Sequence, residues 1–506
     1  MNTAKRVIKN TGFLYAKMGI TMFISLYTTR LVLNALGVSD FGIFTIVGGA
    51  IGMLGFLNAS MASATQRFMS YAEGEGNKEK QKKIFNISIV LHFLIAWVLG
   101  LVLLIIGYFF FNGILNIETE RVYAAKMIYG SLILSTMFTV MSVPYDAVLN
   151  ARENMLYYAI VGIVESLLKL IVAFAVVYFA GDKLILYGIL MACIPFIIMT
   201  IMRIYCHKKY EECVIAPRKY WDKNLIKEIS GFAGWSFFAS AATMITMQGI
   251  AILLNIFFGV IANAAHGIAN QLAGQIMVFS NNMLKALNPT IVKSEGAKNR
   301  DKMLEITISG SKLSFMLLAL FALPLCLETP AFLSIWLKNP PEYAVLFCRL
   351  VLIRLMITQL HVPLVTAINA GGKIKAQSVS ISLITLLVIP ISALLYYLNA
   401  PIFIVYIVLI IMTIAYLIVN AYFMHVKYNF KLSFFFKHVV SRCLLSGIIT
   451  SVMGVLIMYF FEPSIFRFFI VSGVCMVFFL YLFYTLVLNQ TERNIILSIR
   501  NKLIHR

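Results

Sequence analysis

The chain has 506 residues, 61% of them hydrophobic and only 12% charged, with a formal net charge of +21. A soluble chain of this length carries about a quarter charged residues, so the composition excludes a set of water-soluble domains and makes lipid the solvent for most side chains. The seven cysteines form no Cys-x-x-Cys pair and lie mostly within apolar runs, which argues against both a disulfide framework and a zinc site.

In chain order, Lys5, Arg6 and Lys9 precede an apolar run that reaches about residue 36. It resembles a signal peptide but lacks a small-x-small cleavage site and contains Arg30, so an uncleaved first helix is expected. Apolar stretches of roughly 18 residues or more cross the bilayer core as helices. They are expected near 12–36, 41–64, 87–111, 123–148, 157–180, 184–204, 230–258, 261–288, 305–327, 343–367, 378–398, 402–424, 438–460 and 466–488. These are too long for barrel strands and lack their alternation. The expected fold class is therefore an all-α integral membrane protein of about fourteen transmembrane helices.

With an even number of spans both termini lie on one side. That side carries Lys5, Arg6, Lys9, Arg67, Lys78, Lys80, Lys82, Lys83, Arg152, Lys208, Lys209, Arg218, Lys219, Lys223, Lys227, Lys293, Lys298, Arg300, Lys302, Lys373, Lys375, Lys427, Lys431 and Lys437, and the tail Arg493, Arg500, Lys502 and Arg506. The opposite loops carry Arg121, Lys183 and Lys338. The excess of basic residues places both termini in the cytoplasm. It also accounts for the net charge through topology and anionic lipid rather than nucleic acid.

Three pairs of short motifs recur. Leu33-Asn34 before Gly37 matches Leu254-Asn255 before Gly259; Glu73-Gly74 matches Glu295-Gly296; and Pro144 with Asn150-Ala151 matches Pro363 with Asn369-Ala370. The offsets are 221, 222 and 219 residues. They predict a duplicated six-helix unit whose copies are related by an axis along the membrane normal. The expected organisation is a lobe at 1–205, a linker at 206–229, a second lobe at 230–424, and an appended helix pair with tail at 425–506.

No phosphate-binding loop, HExxH, GxSxG or Cys/His cluster is present, so no cofactor is expected. Ionisable residues inside spans carry the functional signal, because a charge at mid-bilayer costs a few kcal/mol. At about 1.5 Å per residue, Glu165 and Lys169 lie roughly 12 and 18 Å into span five, one turn apart. Arg354 lies about 16 Å into span ten, with Arg349 nearer the outer surface and no acidic residue in that helix positioned to pair with Arg354. Arg30 is near the outer end of span one, where snorkelling competes with a cavity role; Lys17, Lys285, Lys312 and Arg442 sit nearer the cytoplasmic ends. The net-positive interior suits an anionic ligand such as a phosphate. Gln248 and Asn255 in span seven, and Asn270, Gln271, Gln275, Asn281 and Asn282 in span eight, suit hydroxyl-rich ligands, although interhelical hydrogen bonding uses the same residues. Asp146, just past Pro144, reads as an anchoring carboxylate or as a proton or cation switch.

The run Leu36-Gly37-Val38-Ser39-Asp40-Phe41-Gly42-Ile43-Phe44, with Arg67-Phe68 and Asn150-Ala151-Arg152-Glu153, resembles polysaccharide and O-antigen flippases of the Wzx type. These belong to the polysaccharide transport branch of the multidrug/oligosaccharidyl-lipid/polysaccharide (MOP) exporter superfamily. The resemblance covers essentially the whole chain and implies a MATE-like MOP fold of two six-helix lobes plus a helix pair. It implies a flippase in the bacterial inner membrane that moves an undecaprenyl-diphosphate-linked oligosaccharide between leaflets by alternating access around a cationic cavity. Arg30 is the position that best matches the family's basic residues; Lys169 and Arg354 follow by depth, with Arg349, Lys285, Gln248, Asn255, Asn270 and Gln271 as further substrate-binding candidates. Glu165 and Asp146 are the candidates for a coupling ion, a proton or sodium, if transport is coupled. Open alternatives are a drug/cation antiporter of the same superfamily, whose cavity would need carboxylates, and an integral-membrane polymerase or ligase, which would need a large outer loop.

Overall fold

In this computed structural model, which describes residues 3–52, 55–114, 118–337, 339–494 and 497, the chain is helical throughout its described length apart from short connections. The helices are α1 (Thr3–Gly52), α2 (Gly55–Glu75), α3 (Lys78–Phe109), α4 (Val122–Ala151), α5 (Met155–Tyr178), α6 (Lys183–Lys209), α7 (Lys223–Gly296) and α8 (Arg300–Leu327). They continue as α9 (Thr329–Leu337), α10 (Ala344–Ala370), α11 (Lys375–Tyr397), α12 (Ile404–Tyr428), α13 (Leu432–Phe435), α14 (Ser441–Phe460) and α15 (Ile465–Leu482). Among the described residues, twelve stretches are long and apolar enough to cross a membrane. The expected count of about fourteen exceeds this by two. One reason is that Lys223–Gly296, counted as one stretch of 74 residues, is two helices joined at the non-helical Gly259, each long enough to cross a core of about 30 Å at about 1.5 Å per residue. The other is that the span expected at 41–64 crosses residues 53 and 54, outside the described set, and α2 beyond them is polar, with Asn58, Ser60, Ser63, Thr65 and Gln66. Lys338, Arg500, Lys502 and Arg506 from the charge pattern also lie outside the described residues.

The two longest helices break at repeat-equivalent glycines. Gly37 in α1 has φ 79° and ψ 171°, and Gly259 in α7 has φ 78° and ψ −168°. Only glycine occupies this region without strain, so the duplicated motif has kept one backbone geometry. Gly37→Ala or Gly259→Ala is expected to cost about 1–3 kcal/mol, read as a lowered unfolding midpoint in detergent. No Cβ clash contributes, since both sites have open space around them.

Packing divides the chain into two compact units: Arg6–Phe237 with Val292–Lys298, and Met1–Lys5 with Phe238–Ile291 and Asn299–Arg506. In the first, the N-terminal unit, α4 is the hub, packed on α2, α3 and α6. Its Ala124, Ala125, Ile128 and Ile133 join Leu99 and Leu103 of α3, Val172 and Val176 of α5, and Leu184 and Ile194 of α6 in one core. In the C-terminal unit α10 has that place, packed on α8 and α12, with Phe347, Val351, Leu352 and Leu355 meeting Leu318 of α8 and Val405 and Tyr406 of α12. Each hub carries its proline, Pro144 or Pro363, inside the helix. The appended pair joins the C-terminal unit through two buried ion pairs, Lys312–Glu492 at 2.9 Å and Arg467–Glu328 at 2.7 Å. Lys312, which its depth marked as a snorkelling anchor, is thus a structural pairing partner.

In the N-terminal unit the segment Val292–Lys298 is held by Glu153, whose side chain is 1% exposed and contacts Arg6 at 2.6 Å and Lys293 at 3.1 Å. The neighbouring Arg152 binds Glu73 at 3.0 Å and Glu212 at 2.7 Å. Two more duplicated glycines meet there reciprocally: a Cβ on Gly74 would overlap the carbonyl of Lys293, and one on Gly296 would overlap that of Tyr71. Close backbone approach therefore explains the paired Glu-Gly motif.

The start of α7 is capped by Asp222, which accepts hydrogen bonds from the Asn224 and Leu225 amides at 3.1 Å and pairs with Lys83 at 3.1 Å. The Leu225 amide first, then Lys83, hold its carboxyl below the usual value of 3.8. A depressed carboxylate contributes stability that is present above its ordinary value and lost as pH falls through the lowered one. Hydrogen-exchange protection of the first turn of α7 is therefore expected to be flat from neutral pH down and to fall only below 3.8. Asp222→Asn, which keeps a capping oxygen, should remove that step.

Candidate functional site

The candidate residues fall into two sets, one in each unit. In the N-terminal unit, Arg30 lies on α1 between Gly37 and Lys17. It is exposed and makes no ion pair or hydrogen bond through its side chain among the described residues. Lys17, about four turns from the helix start, is fixed: its ammonium lies 4.5 Å from the centroid of the Tyr158 ring, and its side chain fills the space a Cβ would take at Gly162. The α5 pair forms as the i,i+4 spacing requires, Lys169 Nζ to Glu165 Oε1 at 2.6 Å, with both side chains 41% exposed. Lys169 therefore brings no uncompensated charge. Asp146 on α4, Glu165 and Lys17 all lie within electrostatic range of Tyr158. The two carboxylates proposed for coupling thus share one neighbourhood, with a lysine and a phenol.

In the C-terminal unit, Arg354 projects from the middle of the hub helix α10 and is half-buried. Its Nε is buried without a hydrogen-bond partner, and no carboxylate pairs with it among the described residues. Its electrostatic neighbours are the phenols Tyr406 and Tyr416 and the imidazole of His266. His266 bonds through Nδ1 to Tyr406 Oη at 2.7 Å, and Asn270 Nδ2 lies 2.9 Å from its Nε2. Asn270 thus positions a histidine rather than standing free. Tyr416 is held in turn by the Thr385 hydroxyl.

Arg349 departs from the expected binding role. Its Nε donates to the Cys326 carbonyl at 3.0 Å and its Nη2 to the Leu327 carbonyl at 3.1 Å, satisfying the last turn of α8. Unpaired carbonyls at a helix end are partnered this way by cations. Lys285 is half-buried and engaged with neighbours of its own. Gln248, Asn255 and Gln271 are exposed on α7 and make no side-chain hydrogen bond among the described residues. The polar residues that do tie helices together are others: Ser280 to Gln359 at 2.6 Å, Thr246 to the Thr385 carbonyl at 3.0 Å, and Gln377 to Asn420 at 2.9 Å.

Of the candidate residues, Arg30 and Arg354 are the guanidiniums without an ion pair or side-chain hydrogen bond among the described residues, whereas Arg349, Lys169 and Lys312 are spent on structure. Sequence reasoning missed His266, Tyr406 and Tyr416 around Arg354. The available signal was polar and aromatic side chains inside spans eight and twelve, but their convergence depends on helix rotation.

A sequence profile of a family described as polysaccharide biosynthesis protein matches residues 7–295, more than half of the chain. No curated protein sequence matches. Among solved structures, an outward-facing multidrug resistance MATE-family transporter of the MOP superfamily superposes with a TM-score of 0.72 at 15% identity, covering 86% of this chain and 97% of its own. A MATE protein in its bent conformation gives a TM-score of 0.73 at 14% identity, covering 87% and 98%. A MOP superfamily transporter from Pyrococcus furiosus, described as having a binding pocket of reverse polarity that suggests a different function, gives 0.68 at 15% identity, covering 86% and 97%. These structural likenesses show the fold. The chain is a multi-pass membrane protein with a MATE-like MOP transporter fold, and it belongs to the polysaccharide biosynthesis protein family.

Proposed function

We propose that the protein is a flippase for an undecaprenyl-diphosphate-linked oligosaccharide. It would work in the bacterial inner membrane with both termini cytoplasmic and carry its cargo between leaflets by alternating access. The observation that carries this reading is the unpaired guanidinium of Arg354. A half-buried cation without a carboxylate is costly within a membrane, and a diphosphate supplies the missing charge with acceptors suited to a forked donor. Arg30 offers the same chemistry from the N-terminal unit. The unbonded amides of Gln248, Asn255 and Gln271 supply donors and acceptors for sugar hydroxyls.

A drug/cation antiporter is less well supported. Its cavity needs a free carboxylate, whereas Glu165 is paired with Lys169 and Asp146 lies beside Tyr158 and Lys17. That same neighbourhood is the best place for a coupling proton or sodium. The test is outer-leaflet accessibility of a labelled lipid-linked oligosaccharide in cells whose only copy of the protein is under repressible control. Repression should trap the label in the inner leaflet; unchanged accessibility would refute the reading.

A further inference from the structure

In the N-terminal unit, the first turn of α5 and the last three turns of α6 line an open surface groove of about 540 Å³, formed by Tyr157, Ile201, Ile204, Tyr205, Lys208 and Lys209. Its wall is rigid. The Tyr157 and Tyr205 rings stack at 3.5 Å between centroids with 10° between planes. The Asn154 amide donates to the hydroxyls of Tyr205 and Tyr210, both at 2.8 Å.

Its charge is uncompensated. The nearest acidic residues in sequence are engaged elsewhere: Glu211 with Lys78 at 2.6 Å, Glu212 with Arg152 at 2.7 Å, and Glu153 with Arg6 at 2.6 Å. Lys208 and Lys209 are exposed and form no ion pair among the described residues; Lys209 Nζ rests 5.4 Å from the Tyr205 ring centroid. Two lysines at the end of α6 also interact favourably with the helix dipole, but that role needs no groove beside them.

The apolar half of the lining selects the occupant. Ile197, Ile201, Ile204 and Lys208 follow one another at helical spacing along one stripe of α6, and Ile197 and Ile204 are exposed. An apolar stripe leading into a groove with two free ammonium groups and a tyrosine wall has the polarity of a phospholipid: chains below, phosphate above. A soluble anion would use only the upper half.

We propose that this groove is a headgroup site for an anionic phospholipid, with the phosphate between Lys208 and Lys209 and an acyl chain along the isoleucine stripe. Basic pockets between helices at a membrane surface take such headgroups, each Lys contributing enough that two together change affinity roughly thirtyfold.

The test uses the full-length protein in phosphatidylcholine nanodiscs doped with phosphatidylglycerol, with bound lipid counted by native mass spectrometry. The wild type should retain one phosphatidylglycerol that Lys208→Gln/Lys209→Gln loses, with affinity roughly thirtyfold weaker. Equal retention by both proteins overturns the proposal, as does displacement of the bound lipid by inorganic phosphate or preferential retention of a prenyl diphosphate. Should the double variant fail to fold, a photoreactive phosphatidylglycerol on the wild type decides. Crosslinks should fall on residues 155–160 and 201–209, and crosslinks confined to other helices overturn the assignment.

Discussion

Arg354→Ala is expected to lower flipping of the lipid-linked oligosaccharide by about ten- to a hundredfold, with the protein still folded and present in the membrane. A charge-assisted hydrogen bond to a buried partner is worth about 1.5–3 kcal/mol, and each 1.36 kcal/mol is a factor of ten in rate. Removing the side chain should not unfold the C-terminal unit, because Arg354 has no ion pair to break and its Nε has no partner to leave behind. Arg354→Lys keeps the charge but loses the fork, so it should recover part of the activity. Arg30→Ala should fall in the same range and Arg349→Ala should not: Arg349 would cost stability through the Cys326 and Leu327 carbonyls it leaves bare. Normal flipping in both Arg30→Ala and Arg354→Ala would remove the binding assignment.

The largest stability effect is expected at the attachment of the appended helices. Arg467 in the first turn of α15 pairs with Glu328 at the end of α8, with Nε 2.7 Å from Oε1 and Nη2 donating a hydrogen bond to Oε2 at 3.0 Å. The Glu328 side chain is 0% exposed. Arg467→Ala strands a buried carboxylate, which costs about 3–5 kcal/mol and should appear as a sharply lowered unfolding midpoint in detergent. Replacing both partners with leucine is often close to neutral, so Glu328→Leu/Arg467→Leu should recover most of the loss. A double variant as unstable as the single one would mean that the pair orders the local backbone rather than compensating charge.

How far these features could be read from the sequence depends on their range. Spans and their order followed from local apolarity, and the duplicated glycines signalled a shared local geometry that the matching torsions of Gly37 and Gly259 express. The Glu165–Lys169 pair was readable because both partners sit on one helix. Long-range pairings were not. Lys312 meets Glu492 across 180 residues, Arg467 meets Glu328 across 139, and His266 meets Tyr406 across 140. Depth along a helix ranks a polar residue but says nothing of its rotation. Depth made Arg349 and Arg354 binding candidates and Lys312 a snorkelling anchor, whereas packing makes Arg349 a helix cap and Lys312 an ion-pair partner and leaves Arg354 without a partner among the described residues.

The functional account rests on the idea that bare arginines mark an anionic lipid-linked cargo. The most direct measurement reconstitutes the purified protein into liposomes containing a fluorescent prenyl-diphosphate oligosaccharide in both leaflets, then bleaches the outer leaflet with a membrane-impermeant reductant. Bleaching beyond the outer half, dependent on the protein and strongly reduced in Arg354→Ala, is the predicted result. Bleaching that stops at half in the presence of active, folded protein, alongside transport of a lipophilic cation by the same vesicles, would contradict the account.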